Sequence, residues 1–344
     1  MDQAVAHAPV PVGDFSLVER GVHEAEEDAF LAPHATRAAG AGNRSISEEP
    51  DRFRTCFQRD LDRIQHSRPF RRLAGKCQVF VAPDDDHLRT RLTHAIEVAQ
   101  VAASIARGAR LNVALTTAAA MGHDCGHGPA GHASEDALSP YLPGGYHHAV
   151  YGADVVLEPL NLCAETLDAI RNHSWNRPTP STPEGEVVAW ADRIAYVCHD
   201  FEDAVDAGIV DPRDLPSEVA DVVGTSRSRQ LGAFVSGMLE TIGETGLVAL
   251  RSPEADALAA FRAFNYERIY LRPAAQEQAR RVVAVIQALT EHFAKHPRTP
   301  ELVPGSDTAM AESVRYVSGM TDRFALDLAV SRLGWDPAAL PQGV

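Results

Sequence analysis

Apolar residues recur along most of this chain at the three- and four-residue spacing of helices, and strand-like alternation is almost absent. From Thr90 to about Arg107, Leu92, Ile96, Ala99, Ala103 and Ala106 form one stripe, and Val98, Val101 and Ile105 extend a second from His94. A helix apolar on nearly every side is a central one, which buries His94 as well. Asn112 is placed to cap a following helix over 113–123, and Gly126, Gly128, Pro129 and Gly131 end it in a tight loop. A short helix from Ser134 is stopped by Pro143-Gly144-Gly145. Between Glu186 and Ala207, Val187, Ala191, Ile194, Cys198, Phe201 and Val205 make a regular core stripe. Asp192, Tyr196 and Asp200, four apart, share the adjacent face. Further helices are predicted near 217–243, 253–264, 274–296 and 308–321. Only 78–81 (Gln78-Val79-Phe80-Val81) reads as a possible strand. The expected fold class is all-α, with no internal repeat.

Residues 1–45, rich in Ala, Pro, Gly and acidic residues, lack periodicity and read as a flexible N-terminal arm. Residues 46–300 form the main domain, its chemical core over about 88–207, and 301–344 read as a C-terminal helical segment for packing or assembly.

Composition narrows the function classes. The chain has 344 residues, 45% hydrophobic and 23% charged, which suits a sizeable core. No apolar run approaches the roughly 18 residues of a membrane helix. Five cysteines (Cys56, Cys77, Cys125, Cys163, Cys198) are scattered without a CxxC pair, which argues against a disulfide frame or thiolate zinc site and for a reducing cytoplasm. A net charge of −15 disfavours nucleic acid as the main partner. Between Asp51 and Arg91, however, ten Lys or Arg face six Asp. Such a run is either a solvated surface or a phosphate pocket.

The densest chemistry lies in 123–135, where His123, Asp124, His127, His132 and Glu135 crowd into thirteen positions broken by glycines and a proline. Imidazoles and carboxylates together suit a divalent cation with room for water and a phosphate oxygen. A second His-Asp pair, His199-Asp200, lacks a glycine loop; His199 is expected on the helix surface or behind the site. Cys125 is expected to be a small apolar filler.

An adjacent His-Asp at a helix end, an upstream His and a downstream Asp resemble the HD-domain metal-dependent phosphohydrolases. More narrowly, 89–100 (RTRLTHAIEVAQ), 122–127 (GHDCGH) and 131–135 (GHASE), preceded by 57–67 (FQRDLDRIQHS) and 70–73 (FRRL), resemble the deoxyguanosine triphosphate triphosphohydrolase family over roughly residues 50–300. The resemblance implies an HD-domain helical fold with additional C-terminal helices. It implies His94, His123, Asp124 and Asp192 as ligands of one divalent ion (Mg, Mn, Co, Ni, Fe or Zn), and His132 with Glu135 as the acid/base pair, His127 beside them. It further implies substrate contacts from Arg91, His148, Tyr196, Asp200 and Gln78, although His147 stands where the family usually has an acidic residue. The implied activity is hydrolysis of a deoxynucleoside triphosphate to deoxynucleoside and tripolyphosphate, by a homo-oligomer, commonly a hexamer, sometimes with a nucleotide activator. Rival readings are a 5′-nucleotidase or phosphodiesterase of the same superfamily, or a nucleotide-sensing module with a degenerate site. The carboxylate-rich and Gly-Tyr-Pro signatures of alarmone and cyclic dinucleotide hydrolases are absent.

Overall fold

Helix starts are written into the sequence as caps. Thr55, Thr90, Asn112, Thr182 and Ser306 each accept a backbone N–H from the first turn of the helix they precede, worth about 0.5–2 kcal/mol per cap. The structure is a computed structural model and describes residues 12–81 and 85–343. Its helices are α1 Arg20–Phe30, α2 Cys56–His66, α3 Arg68–Arg72, α4 Arg91–Gly108, α5 Val113–Gly122, α6 His132–Leu138, α7 His148–Tyr151 and α8 Ala164–Asn172. They continue with α9 Pro183–Asp206, α10 Ser217–Val223, α11 Arg227–Thr245, α12 Glu254–Asn265, α13 Pro273–Lys295, α14 Asp307–Ser318 and α15 Asp322–Leu333. The fold is all-α. Among the described residues there is no strand, only isolated bridges between Arg44 and Cys163 and between Cys77 and Thr90. The run 78–81 is an irregular stretch of bends, not a strand.

The main core forms where α4 packs between α5 and α9, with α2 and α8 against α5. Ala95, Val98, Val101, Ala102 and Ile105 of α4 are fully buried against Ala118, Ala119 and Ala120 of α5 and Val187, Ala191 and Ile194 of α9. The many alanines let these helices approach closely, which is what brings their polar side chains within reach of one another. Ile96 departs from expectation: it is exposed, so α4 keeps one face toward solvent. A second cluster joins α6 to α13, α14 and α15 through Leu138, Val285, Ile286, Leu289, Val314 and Val317. This layer draws helices from both sides of residue 300.

Three further departures have physical causes. The helix expected over 217–243 breaks at Gly224, whose φ of +84° a helix does not accommodate. Helix α15 lies beyond the last predicted helix. The N-terminal segment, read as a flexible arm over 1–45, is docked from α1 to Arg44; its first eleven residues lie outside the described ones. The buried Glu184 carboxylate accepts hydrogen bonds from Thr36 N (3.0 Å), Thr36 Oγ1 (2.8 Å) and Asn112 N (2.9 Å). Arg44, its side chain buried, pairs with the fully buried Asp60 at 2.6 Å. Polar pairs, not an apolar stripe, anchor this segment.

Candidate metal centre

Helices α4, α5 and α9, with the end of α8, bring side chains able to hold a metal ion into two overlapping groups, His94–His123–Asp124 and His123–His173–Asp192. Helix α4 carries His94, with Arg91 one turn earlier, and the end of α5 delivers His123 and Asp124. Helix α9 brings Asp192. His94 Nε2 lies 3.0 Å and His123 Nε2 3.6 Å from Asp192 Oδ1, and His123 Nε2 lies 3.4 Å from Asp124 Oδ1. Donors bound to one ion at about 2.1 Å stand about 3.0–3.4 Å apart, so the spacing fits a shared divalent cation. His123 donates from Nδ1 to the Ala120 carbonyl at 2.6 Å, which directs Nε2 inward, a lone pair whenever the ring is neutral. That buried Nε2 has no hydrogen-bond partner, and neither has His94 Nδ1. A cation beside Asp192 satisfies the His123 nitrogen, whereas His94 meets Asp192 through Nε2 and its Nδ1 points away from that carboxylate.

The loop 126–131 is shaped by close approach. A Cβ at Gly126 would lie 2.0 Å from the His148 carbonyl oxygen and 2.5 Å from Gly152 N, and one at Gly131 would lie 2.1 Å from Arg91 Nη2. Ala130 and Gly131 both take positive φ, +56° and +60°, to turn the chain into α6. Beside these residues, Glu135 Oε1 gathers His132 Nδ1 at 2.9 Å, His148 Nδ1 at 2.9 Å and His127 Nδ1 at 3.9 Å. The His127 and His148 rings stack, centroids 3.7 Å apart. His132 is the outermost of the group, its side chain 77% exposed.

Charge in this cavity is strongly organised. Burial opposes ionisation of Asp124 and Asp192, yet His123 with Arg91, and His123 with His94, outweigh it and hold both well below the usual carboxylate range. The same carboxylates overcome burial at His123 and push it up to about 9. Glu135 is likewise held low against burial by hydrogen bonds from His132 and His148. Burial, reinforced by Arg91 and His148, keeps His127 neutral. Arg91 itself is buried, donating Nη1 to Asp124 Oδ2 at 2.8 Å, with Nε and Nη2 unpartnered.

The remaining expected residues lie around this centre. Tyr196 accepts from Arg262 Nε at 3.1 Å, and Asp200 accepts from Tyr270 at 2.5 Å. Burial drives Asp200 up to about 8. Gln78 donates its backbone N–H to Arg89 O at 3.3 Å, beside the start of α4, and its buried Oε1 has no partner. Of the two places expected for His199, the helix surface is not the one it takes: it is buried, and its Nδ1 lies 3.1 Å from Glu97. Cys125 is buried, its thiol pushed up to about 12 by burial, as a filler should be. The basic run before α4 resolves mainly into ion pairs, Arg54 with Asp51 and Asp62, Arg59 and Arg63 with Glu48. Arg91 alone of that run reaches Asp124.

Several residues near the centre were not anticipated. His173, at the end of α8, is buried 3.2 Å from His148 Nε2 and stacks edge-on against His123. Arg193 sits over the Trp175 ring, and Arg262 and Tyr270 reach the site from beyond α11. The C-terminal layer also holds the metal loop. Asp322 accepts from Ala130 N at 2.7 Å and Cys77 N at 2.8 Å, and the buried Lys76 ammonium donates to the His127 and Ser318 carbonyls.

Comparison with known proteins agrees with this geometry. The HD domain model matches residues 91–197, and the phosphohydrolase-associated domain model matches 248–331. A deoxyguanosinetriphosphate triphosphohydrolase-like protein of Caldanaerobacter subterraneus subsp. tengcongensis is 39% identical over 321 residues, covering 89% of this chain and 93% of that protein. Proteins of the same description from Clostridium perfringens and Desulfatibacillum aliphaticivorans are 38% and 36% identical, covering 82% and 88% of this chain and 87% and 94% of theirs.

Proposed function

Because this chain belongs to the HD-domain, deoxyguanosinetriphosphate triphosphohydrolase-like family, and is thus an HD-superfamily metal-dependent hydrolase, we propose that it cleaves deoxynucleoside triphosphates to deoxynucleoside and tripolyphosphate. The observation that carries this reading is the contact of His94 and His123 with Asp192, and of His123 with Asp124, beside unpartnered guanidinium donors of Arg91.

A single divalent ion (Mg, Mn, Co, Ni, Fe or Zn) on those four ligands supplies Lewis acidity toward an α-phosphate oxygen when bound. The chain's own groups do the rest. Arg91 offers Nε and Nη2 to phosphate oxygens while Nη1 steadies Asp124. His127 and His148, stacked and aligned by Glu135, contact phosphate from the side of α6. His132, exposed and hydrogen-bonded to Glu135, moves a proton to the departing 5′-oxygen. Tyr196 with Arg262, Asp200 with Tyr270, and Gln78 line the sugar side. Base preference, dGTP or another deoxynucleotide, is set there.

We place the protein in the cytoplasm as a homo-oligomer. All five cysteines are free and buried, which supports a reducing compartment, and no helix among the described residues is long and apolar enough to cross a membrane. The activity test is product analysis in ¹⁸O-labelled water with each deoxynucleoside triphosphate, alone and in mixtures. Label should appear in intact tripolyphosphate and not in the nucleoside. Orthophosphate or pyrophosphate as the first product rejects the assignment.

A further inference from the structure

The connection between α8 and α9 carries a large aromatic ring that the core does not enclose. Trp175 is 47% exposed, yet its ring is held at two points. Its Nε1 donates to the Ala189 carbonyl of α9 at 3.1 Å, and its edge meets the Trp190 ring, centroids 4.7 Å apart at 75°. The face of this fixed ring carries the Arg193 guanidinium, whose Cζ lies 3.2 Å from the ring centroid. That is well within the range of a cation–π contact.

Arg193 is otherwise unmatched. Its buried Nε has no hydrogen-bond partner, and the carboxylate next to it in sequence, Asp192, is taken up by His94 and His123. Burial, with the Arg262 charge adding to it, pushes Arg193 below its ordinary value. Arg262 itself lies over the Tyr266 ring at 4.4 Å and donates to Tyr196, so two cations share this side of the centre. Stacking occupies only the face of a guanidinium. Its N–H groups lie in the plane and point out from the edge, so a ring beneath fixes their direction and leaves them free to donate. Packing alone would not require this arrangement, because an arginine stem covers any apolar neighbour equally well.

We propose that Trp175 is a positioning residue for the phosphate end of the substrate, its ring holding the Arg193 guanidinium edge-on to the polyphosphate. The proposal rests on the triphosphohydrolase reading of the centre. A free arginine side chain spreads over many rotamers, and apparent affinity falls with the fraction that is competent to bind. If loss of the ring leaves about a tenth of the guanidiniums in place, phosphate affinity falls about tenfold.

The test is calorimetric titration of the intact chain with tripolyphosphate in excess Mg(II), which measures phosphate binding without turnover, beside kinetics with the four deoxynucleoside triphosphates. Trp175→Ala should weaken tripolyphosphate binding about tenfold and raise KM by a similar factor, with kcat changing less. Trp175→Phe keeps a ring face and should recover most of the loss. In an Arg193→Met background Trp175→Ala should have no further effect, since the ring acts only through the guanidinium. Trp175→Leu, which fills the space without a π face, replaces the alanine variant if that one does not fold. Wild-type affinity in these variants, or equal losses with and without Arg193, overturns the proposal, as does a wild type that binds no tripolyphosphate. The expected binding pattern in a protein that hydrolyses no deoxynucleoside triphosphate rejects the activity and leaves the Trp175 assignment standing.

Discussion

Removing the Arg91 guanidinium perturbs the charge balance of the centre in a way that two independent measurements must report consistently. Arg91→Met keeps most of the side-chain volume and deletes the buried partner of Asp124, 2.8 Å away. Breaking a buried ion pair by removing one member costs about 3–5 kcal/mol when the other charge is left uncompensated, and Asp124 keeps His123 at 3.4 Å and His127 at 3.2 Å, which sets the lower end of that range. In chelator-treated protein we therefore expect a loss of about 3 kcal/mol of unfolding free energy. A divalent ion on Asp124 compensates the same carboxylate, so with saturating Mn(II) the loss should shrink by half, to about 1.5 kcal/mol. The thermodynamic cycle then requires the variant to bind Mn(II) more tightly by the difference, about tenfold for about 1.4 kcal/mol. Urea unfolding followed by circular dichroism, with and without Mn(II), supplies one side of the cycle. Direct Mn(II) titration supplies the other. An apo loss below about 1 kcal/mol, or equal losses in both conditions with unchanged affinity, refutes the coupling between Arg91 and the metal carboxylate. Activity should fall in either case, since the free Nε and Nη2 donors go with the guanidinium.

Other outcomes follow from the same geometry. His132→Ala should keep metal and melting temperature but lose about 10²–10⁴-fold in turnover; a loss under about tenfold at saturating substrate assigns His132 a positioning role. Burial holds Asp200 at about 8 against about 3.9 unfolded. The native state thus binds the extra proton, and stability falls as pH rises from about 4 to about 8. Asp200→Asn should flatten that fall by an amount on the order of a few kcal/mol, read from urea midpoints at several pH values; parallel curves for the two proteins rule this out. Gly131→Ala combines a positive φ with a Cβ aimed at Arg91 Nη2 and should cost about 1–3 kcal/mol. Its turnover should drop with it, and a variant of normal stability and kinetics would show that the loop relaxes freely.

The helices and the residues gathered at the centre were legible because each left a local trace. Apolar spacing marked α4, α5 and α9, and glycines after His123-Asp124 marked a tight loop, which packs against His148, Gly152 and Arg91. What escaped has its cause in distance. His173 is a lone histidine at the end of a short helix, and only α7 folding back gives it a partner. Arg262 and Tyr270 meet Tyr196 and Asp200 across 66 and 70 residues of sequence. The docking of residues 32–44 depends on Glu184 and Asp60, one acid each, with no stripe to announce it. A buried carboxylate spaced to suit a core face is the one signal that could have flagged Glu184, since such a group needs partners from elsewhere.

The clamp from Asp322 to Ala130 spans 192 residues. During synthesis the histidine-rich loop is therefore made well before the carboxylate that fixes its backbone and the Ser318 carbonyl that receives Lys76. The loop cannot take its final shape on the ribosome until α15 has emerged. A chain cut short before α15 would carry His94, His123, Asp124 and Asp192 yet leave the loop 126–131 without that fastening.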